Sequence, residues 1–355
     1  MDLSLSETQR HLSDAVGTFL GRLDRYEMPV TPPTGPDNVW RALGEDLGLL
    51  SLMASEEAGG FGGRGEDLLA VMEAMGRHLL PQPFAETAVV ASSLLQASDS
   101  AQASHLLQAI ATGEVHVGTI INNDALVADL GDDGQWRVTG DCGLVYPAPS
   151  AGVFVVRARS GTDNWPRLFL ISSEHSEREI VATIDERWAG RVTFKDAPAS
   201  LILEGRVAEK AILKAEDVAI AALCAEASGV LSRLLDDTVE FSKQRRQFGQ
   251  PIGRFQVLQH RMADMLMHYE MARSAAILAC LSLEDDASKR RQATSAAKIT
   301  ISEACRFIGQ NAIQLHGGLG MSAETEITRW FKRATVIEYQ MGSRDFHLDR
   351  YRGAA

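Results

Sequence analysis

The hydrophobic period changes twice along the chain, and no other feature of the sequence constrains the fold as much. From the start to about residue 113, apolar residues recur at helical spacing. Leu12, Val16, Phe19 and Leu20 share one face behind a candidate N-cap at Ser6. After a Pro-rich loop at 29–37, VWRALGEDLGL, EDLLAVMEAMGRHL, TAVVASSLLQ and AQASHLLQAIATG continue the helical pattern. From about 114 to 205 the period drops to two. VHVGTIIN, QWRVTG, GVFVVRA, PRLFLIS and RVTFKDA are short β-branched runs separated by turn residues. From about 206 the helical period returns, with Leu223, Ala227, Val230, Leu231, Leu234, Leu235 and Thr238 on one stripe and three further helices after it. The pattern predicts a multidomain α+β chain: a helical domain over 1–113, a β-barrel-like domain over 114–205 and a four-helix bundle over 206–355.

Composition narrows the function. A net charge of −12 excludes nucleic acid and anionic membrane as expected partners, while leaving room for an anionic small ligand held by a few local arginines. Cys142, Cys224, Cys280 and Cys305 form no C-x-x-C pair and no zinc spacing. Buried reduced thiols are the expectation, with no metal. The N-terminus lacks the charge and apolar run of a signal peptide, and no stretch reads as long enough to cross a bilayer, so a cytoplasmic chain is expected.

Three motifs carry the chemistry. Gly60-Phe61-Gly62-Gly63-Arg64-Gly65 matches G-x-G-x-x-G, but a polar turn precedes it and no βαβ unit surrounds it, so it reads as a flexible loop between helices. RRQFGQPIGRFQ at 245–256 places Arg245 and Arg246 at the end of a long helix, with Phe248 beside them. Guanidinium groups there either complement the helix dipole or hold phosphate oxygens. QLHGGLG at 314–320 closes another helix. Its glycines are either a plain C-cap or a place where a ligand reaches the backbone, with Gln314 one turn before them. One pyrophosphate-bearing ligand would account for the arginines, the glutamine and the glycines together.

On those stretches, and on ASEEAGGFGGRGEDLLAVMEAMGR near the start and QLHGGLGMSAETEITRWFKRA near the end, the sequence resembles the acyl-CoA dehydrogenase family over essentially its whole length. The resemblance implies a helical–β–helical fold, FAD at a subunit interface, an acyl-CoA substrate and an electron-transfer flavoprotein as acceptor. It assigns Arg245, Phe248, Gln314, Gly317 and Gly318 to the FAD of a neighbouring subunit.

The chain also departs from that family. The family's reaction needs a carboxylate within hydrogen-bond reach of the substrate's α-proton, in a dry site. An ungapped count from Gly317 puts that position at Met341, whose thioether cannot take a proton; the alternative position of some relatives falls at Ala219. Glu338, Glu216, Asp217 and Glu226 are the candidate substitutes. In the β segment, GTIINNDALVADLGDDGQW stands where the family has a flavin-ring loop, and Leu144-Val145-Tyr146-Pro147 replaces a W-I-T stretch. Three readings follow: the reduced subunit of a heterotetramer that completes a partner's FAD site, a self-sufficient enzyme or homo-oligomer with a displaced base, and a CoA-thioester-binding scaffold without flavin.

Overall fold

A computed structural model of the chain describes residues 6–23, 31–161, 165–322 and 325–354. Parts of the Pro-rich loop and of the GMSAETE stretch lie outside the described residues. Ser6 opens α1 (Glu7–Arg22) as its sequence predicts: its hydroxyl accepts from Gln9 N–H at 3.2 Å, and the Gln9 side chain accepts from Ser6 N–H at 3.0 Å. Asp37 caps α2 (Asn38–Glu45), accepting from Trp40 N–H at 2.8 Å. Next come α3 (Gly65–His78), a π-helical stretch Phe84–Ala91 that runs into α4 (Ser92–Leu95), and α5 (Ala101–Ala111). Seven strands follow: β1 (His116–Ile120), β2 (Val127–Leu130), β3 (Trp136–Val145), β4 (Ala151–Arg159), β5 (Pro166–Ser172), β6 (Ser176–Ala182) and β7 (Trp188–Glu204). The chain ends with α6 (Gly205–Gln244), a short hairpin of β8 (Arg246–Gln247) and β9 (Gln250–Pro251), then α7 (Gln256–Leu281), α8 (Ala287–His316), α9 (Ile327–Tyr339) and α10 (Arg344–Ala354).

Packing divides the chain into two compact units, residues 27–63 with 81–219 and residues 1–26 with 64–80 and 220–355. In the first, a seven-stranded sheet carries the core. Strand β4 is buried on both faces, as its unbroken apolar run requires: Val155 packs with Leu94, Leu106, Ile110 and Ile212, while Phe154 and Val156 join Val138, Phe169 and Phe194 on the other side. Between the π-helical stretch and β1, the Thr87 hydroxyl both donates to the Val117 carbonyl and accepts from its N–H, at 3.1 Å each, so one side chain serves as a surrogate strand there. The expected barrel is not found. The pairings β4–β5, β5–β7, β7–β3 and β3–β2 curl the sheet round, but only the single bridge Val127↔Arg159 links the four-residue β2 back to β4, so no continuous ladder closes it. The Gly60–Gly65 run is no loose linker either. Gly62 and Gly63 N–H bond Ala54 and Leu52 carbonyls at 2.8 Å, and a Cβ on Gly60 would stand 2.3 Å from the Ala54 oxygen.

In the second unit α1 and α3 pack with residues 220–244 of α6 and with α7–α10. The bundle therefore has more than the four helices its sequence suggests. The stripe from Leu223 to Thr238 is buried throughout. Helix α3 approaches its neighbours through glycines: a Cβ on Gly76 would lie 2.0 Å from the Glu226 carbonyl oxygen, one on Gly229 1.9 Å from that of Glu73, and one on Gly65 1.8 Å from that of Cys280. Helix α6 does contain a stretch long and apolar enough to span a bilayer, contrary to the expectation from sequence, but 83% of that window is buried inside protein. Cys224, Cys280 and Cys305 are buried free thiols, as expected, while Cys142 is half-buried. Burial pushes Cys142, Cys224 and Cys305 up to about 12 and raises Cys280 well above the ordinary thiol range.

Candidate functional site

The site begins where α6 stops. Strands β8 and β9 pair through Arg246↔Pro251 and Gln247↔Gln250, leaving Phe248-Gly249 as a two-residue turn. Both turn residues are left-handed, with φ of 52° at Phe248 and 80° at Gly249, the geometry of a tight hairpin that usually takes Asn-Gly. A phenylalanine held left-handed costs about 1–2 kcal/mol. It is nevertheless 90% exposed, touching Phe255 edge-on at 6.1 Å. Burial in its own chain does not offset that strain. Arg245 and Arg246 lie beside it, both exposed; the Arg245 guanidinium makes no hydrogen bond or ion pair among the described residues.

The second motif is brought alongside. Phe241, whose carbonyl accepts from Arg245 N–H at 2.8 Å, stacks on His316 with centroids 4.2 Å apart. His316 immediately precedes the glycines, so the ends of α6 and α8 meet ring to ring. The three glycines then differ in purpose. Gly317 sits at φ 61°, ψ −139°, a region essentially confined to glycine. Gly320 is bare for packing, since a Cβ would lie 2.7 Å from the Ile313 oxygen. Gly318 has neither reason: its φ is ordinary, and a Cβ there would meet nothing within 4 Å. Space also lies open before Gly317, and Gln314 is exposed one turn back. An uncovered guanidinium, an amide, an aromatic plate and a bare backbone edge fit FAD approached from outside this chain.

The turn that would carry the base is built with care around Met341. Met341 is left-handed at φ 62° and its carbonyl lies 2.9 Å from His347 Nε2. Lys298, fully buried, donates to the Glu338 and Gly342 carbonyls at 3.1 and 3.3 Å and to the Ser302 hydroxyl at 3.0 Å. Its ammonium thereby caps the C-terminus of α9. Burial lowers the Lys298 pKa. Burial also pushes His347 down to about 4, so the ring is neutral. Nε2 then carries the proton to Met341, and Nδ1 stays buried without a partner. Nothing in the sequence around Lys298 or His347 marks these roles.

The candidate substitutes are committed elsewhere. Glu226 makes a two-pronged pair with Arg333, at 2.8 and 2.7 Å, and both side chains are buried. Glu338 is buried and bonded by Arg306 Nε at 2.9 Å. Glu216 and Asp217 both have partners, and Ala219 packs on the apolar core of the sheet unit. All four carboxylates already have partners within this chain. The segment in place of the flavin-ring loop is tied to the strands beside it: Asp124 pairs with Arg157 and Arg159 of β4 at 3.0 and 2.9 Å, and Asn123 donates to the Asp141 carbonyl of β3 at 2.8 Å. No group of side chains suited to a metal occurs among the described residues.

Helices before and after a curled sheet, with exposed groups suited to a dinucleotide gathered at the ends of α6 and α8, are the features of a class of nucleotide-binding enzymes. The comparisons name it. Residues 6–114 match the N-terminal domain model of acyl-CoA dehydrogenases and residues 210–352 the C-terminal domain model. The chain is 32% identical over 301 residues to acyl-CoA dehydrogenase IpdE2 of Mycobacterium tuberculosis, covering 84% of this chain and 80% of that one. It is 25% identical to the short-chain-specific acyl-CoA dehydrogenase of Megasphaera elsdenii, covering 85% of each. Among solved structures, a Tcur3481–Tcur3483 steroid ACAD variant superposes with a TM-score of 0.87 at 26% identity, over 99% of this chain and 98% of that one. The ChsE4–ChsE5 complex from Mycobacterium tuberculosis shares the fold, with a TM-score of 0.89 at 23% identity and the same coverage. The chain belongs to the acyl-CoA dehydrogenase family, whose members are FAD-dependent oxidoreductases.

Proposed function

We propose that this chain is the subunit of a heteromeric acyl-CoA dehydrogenase that completes an FAD site held mainly by a homologous partner. Phe248 carries the reading: a strained aromatic, 90% exposed, on a hairpin whose neighbours Arg245, Gln314, Gly317 and Gly318 are also uncovered. Met341 at the base position and the Asp124 segment held on β4 support the other half of the assignment, in which the partner supplies base and flavin-ring contacts. FAD, when bound, supplies the hydride acceptor for α,β-desaturation of the thioester. In that site Arg245 would hold pyrophosphate oxygens, Phe248 would lie against the cofactor, and Gly317 and Gly318 would let it reach the backbone. A steroid-type acyl-CoA as substrate is suggested by the structural relative described as a steroid ACAD. An electron-transfer flavoprotein would take the electrons.

The test is flavin stoichiometry. The chain purified alone is expected to be colourless, and the chain co-purified with a homologous mate that keeps a glutamate at the base position is expected to hold one FAD per pair. Full flavin occupancy in the lone chain, bleached by an acyl-CoA, would overturn the proposal.

A further inference from the structure

Within the helical unit, α1, α3, α6 and α7 wall an open-mouthed cavity of about 740 Å³, away from every residue assigned to FAD. Its size is that of a small-molecule site, but its wall is not the usual apolar one. Glycines aside, Ala74 is the only described lining residue without a polar side-chain atom. Ser13, Thr18, Ser228, Ser232 and Tyr269 contribute hydroxyl groups, and Asp14, Glu73, Arg77, Arg273 and His78 the ionisable ones. Most of that charge is matched within the chain. Arg77 donates to Asp236 at 2.8 Å and to the Ser232 hydroxyl at 2.6 Å. Glu73 accepts from Ser228 at 2.5 Å and lies 3.5 Å from Arg273 Nε. Burial, with Arg233 and Arg77 nearby, lowers the pKa of His78 and leaves the ring neutral; burial and Glu73 raise that of Tyr269, which keeps its proton. The Asp14 carboxylate and the His78 ring make no hydrogen bond or ion pair among the described residues. Helix α1 also carries two glycines, one turn apart, beside that ring. A Cβ on Gly17 would stand 4.0 Å from His78 Nε2 and one on Gly21 3.8 Å from its Cε1, ordinary contacts, and both have ordinary φ. Glycine is a poor helix former, and neither packing nor backbone geometry calls for it here. What the pair leaves is room over His78.

We propose that this cavity binds a small uncharged molecule bearing hydroxyl groups on every side, of the sugar or cyclitol class. An anion would face the unpaired Asp14, and a cation would face Arg77 and Arg273. An apolar molecule would strip water from the polar wall without replacing its bonds. A polyol donates to Asp14 and to the free nitrogen of His78, and accepts from the guanidinium and serine groups, so each bond to water is exchanged for one to the ligand. Such a molecule touches all four helices and clamps α1 onto the others. The inference does not rest on which chain completes the FAD site.

Saturation-transfer NMR on the full-length chain, with glucose, trehalose and myo-inositol in turn, tests it. Signals are expected from at least one: from either sugar for the sugar class, from myo-inositol alone for the cyclitol class. Gly17→Leu, which fills the cavity, should cut them several-fold. Asp14→Ala, at an exposed position, should do the same with the far-ultraviolet dichroism unchanged. Inorganic phosphate and spermidine should displace nothing. Silence from all three probes, signals undiminished in either folded variant, or displacement by phosphate or spermidine would each overturn the proposal.

Discussion

At the scale of single residues, the telling positions are those whose local chemistry their own chain does not explain. Phe248 costs about 1 kcal/mol where glycine would cost little. Phe248→Gly should leave the melting temperature of the lone chain unchanged or slightly raised, while flavin content with a mate falls several-fold. A fall in both would assign the ring a structural role. His116 and His347 give a second prediction. Burial pushes each down to about 4, against about 6.5 for an unfolded imidazole. The unfolded chain therefore binds protons first, so stability is intact above about 6.5 and is lost as pH falls toward 4. Each site accounts for on the order of 3 kcal/mol at the acid end. Urea midpoints should be flat from pH 8 to 7 and fall steeply below 6. The sequence displayed Arg245, Phe248, Gln314 and the glycines because the cofactor contacts proposed for them fall in short local motifs. It did not display that Glu226 belongs to Arg333, more than a hundred positions away, because ion pairs of that kind leave no periodic trace.

At the scale of elements, long amphipathic helices were legible and short or edge elements were not. The stripe on α6 and the cap of α1 stand where their patterns place them. Strand β6 was hidden because SEREIVA pairs only with β7 and carries charge on an edge, and β8 and β9 are two residues each, below any period. Helix α10 follows α9 after only four residues and is mostly exposed outside His347 and Arg350, so its sequence shows no apolar stripe. Glycines also join α3 to α6. They are close approaches, and Gly229→Ala would drive a methyl onto the Glu73 carbonyl. Overpacking of that kind costs about 1–3 kcal/mol, more where only backbone can yield. Chemical denaturation of Gly229→Ala should show a loss at the upper end of that range, whereas Gly318→Ala, with open space before it, should cost the lone chain almost nothing.

At the scale of the whole molecule, the sequence of helix, sheet and helix was readable, but its partition was not. Helices α1 and α3 belong to the helical unit and α2 and α5 to the sheet unit, because long-range packing, which no window of sequence contains, assigns them. The weak closing edge of the sheet was hidden for a similar reason: five of the seven strands were legible, and β2, the four-residue strand at that edge, was not. The Met341 turn permits a decisive variant. Lys298 and His347 hold its backbone whatever the side chain, so Met341→Glu should fold normally. It should still give no dehydrogenase turnover when the lone chain is assayed with acyl-CoA and an artificial acceptor. The obstacle is Asp124, already satisfied by Arg157 and Arg159. That cluster is largely open to water, so losing any one of its three charges costs the fold about 1 kcal/mol or less, and the segment around it can drift in sequence without unfolding the chain.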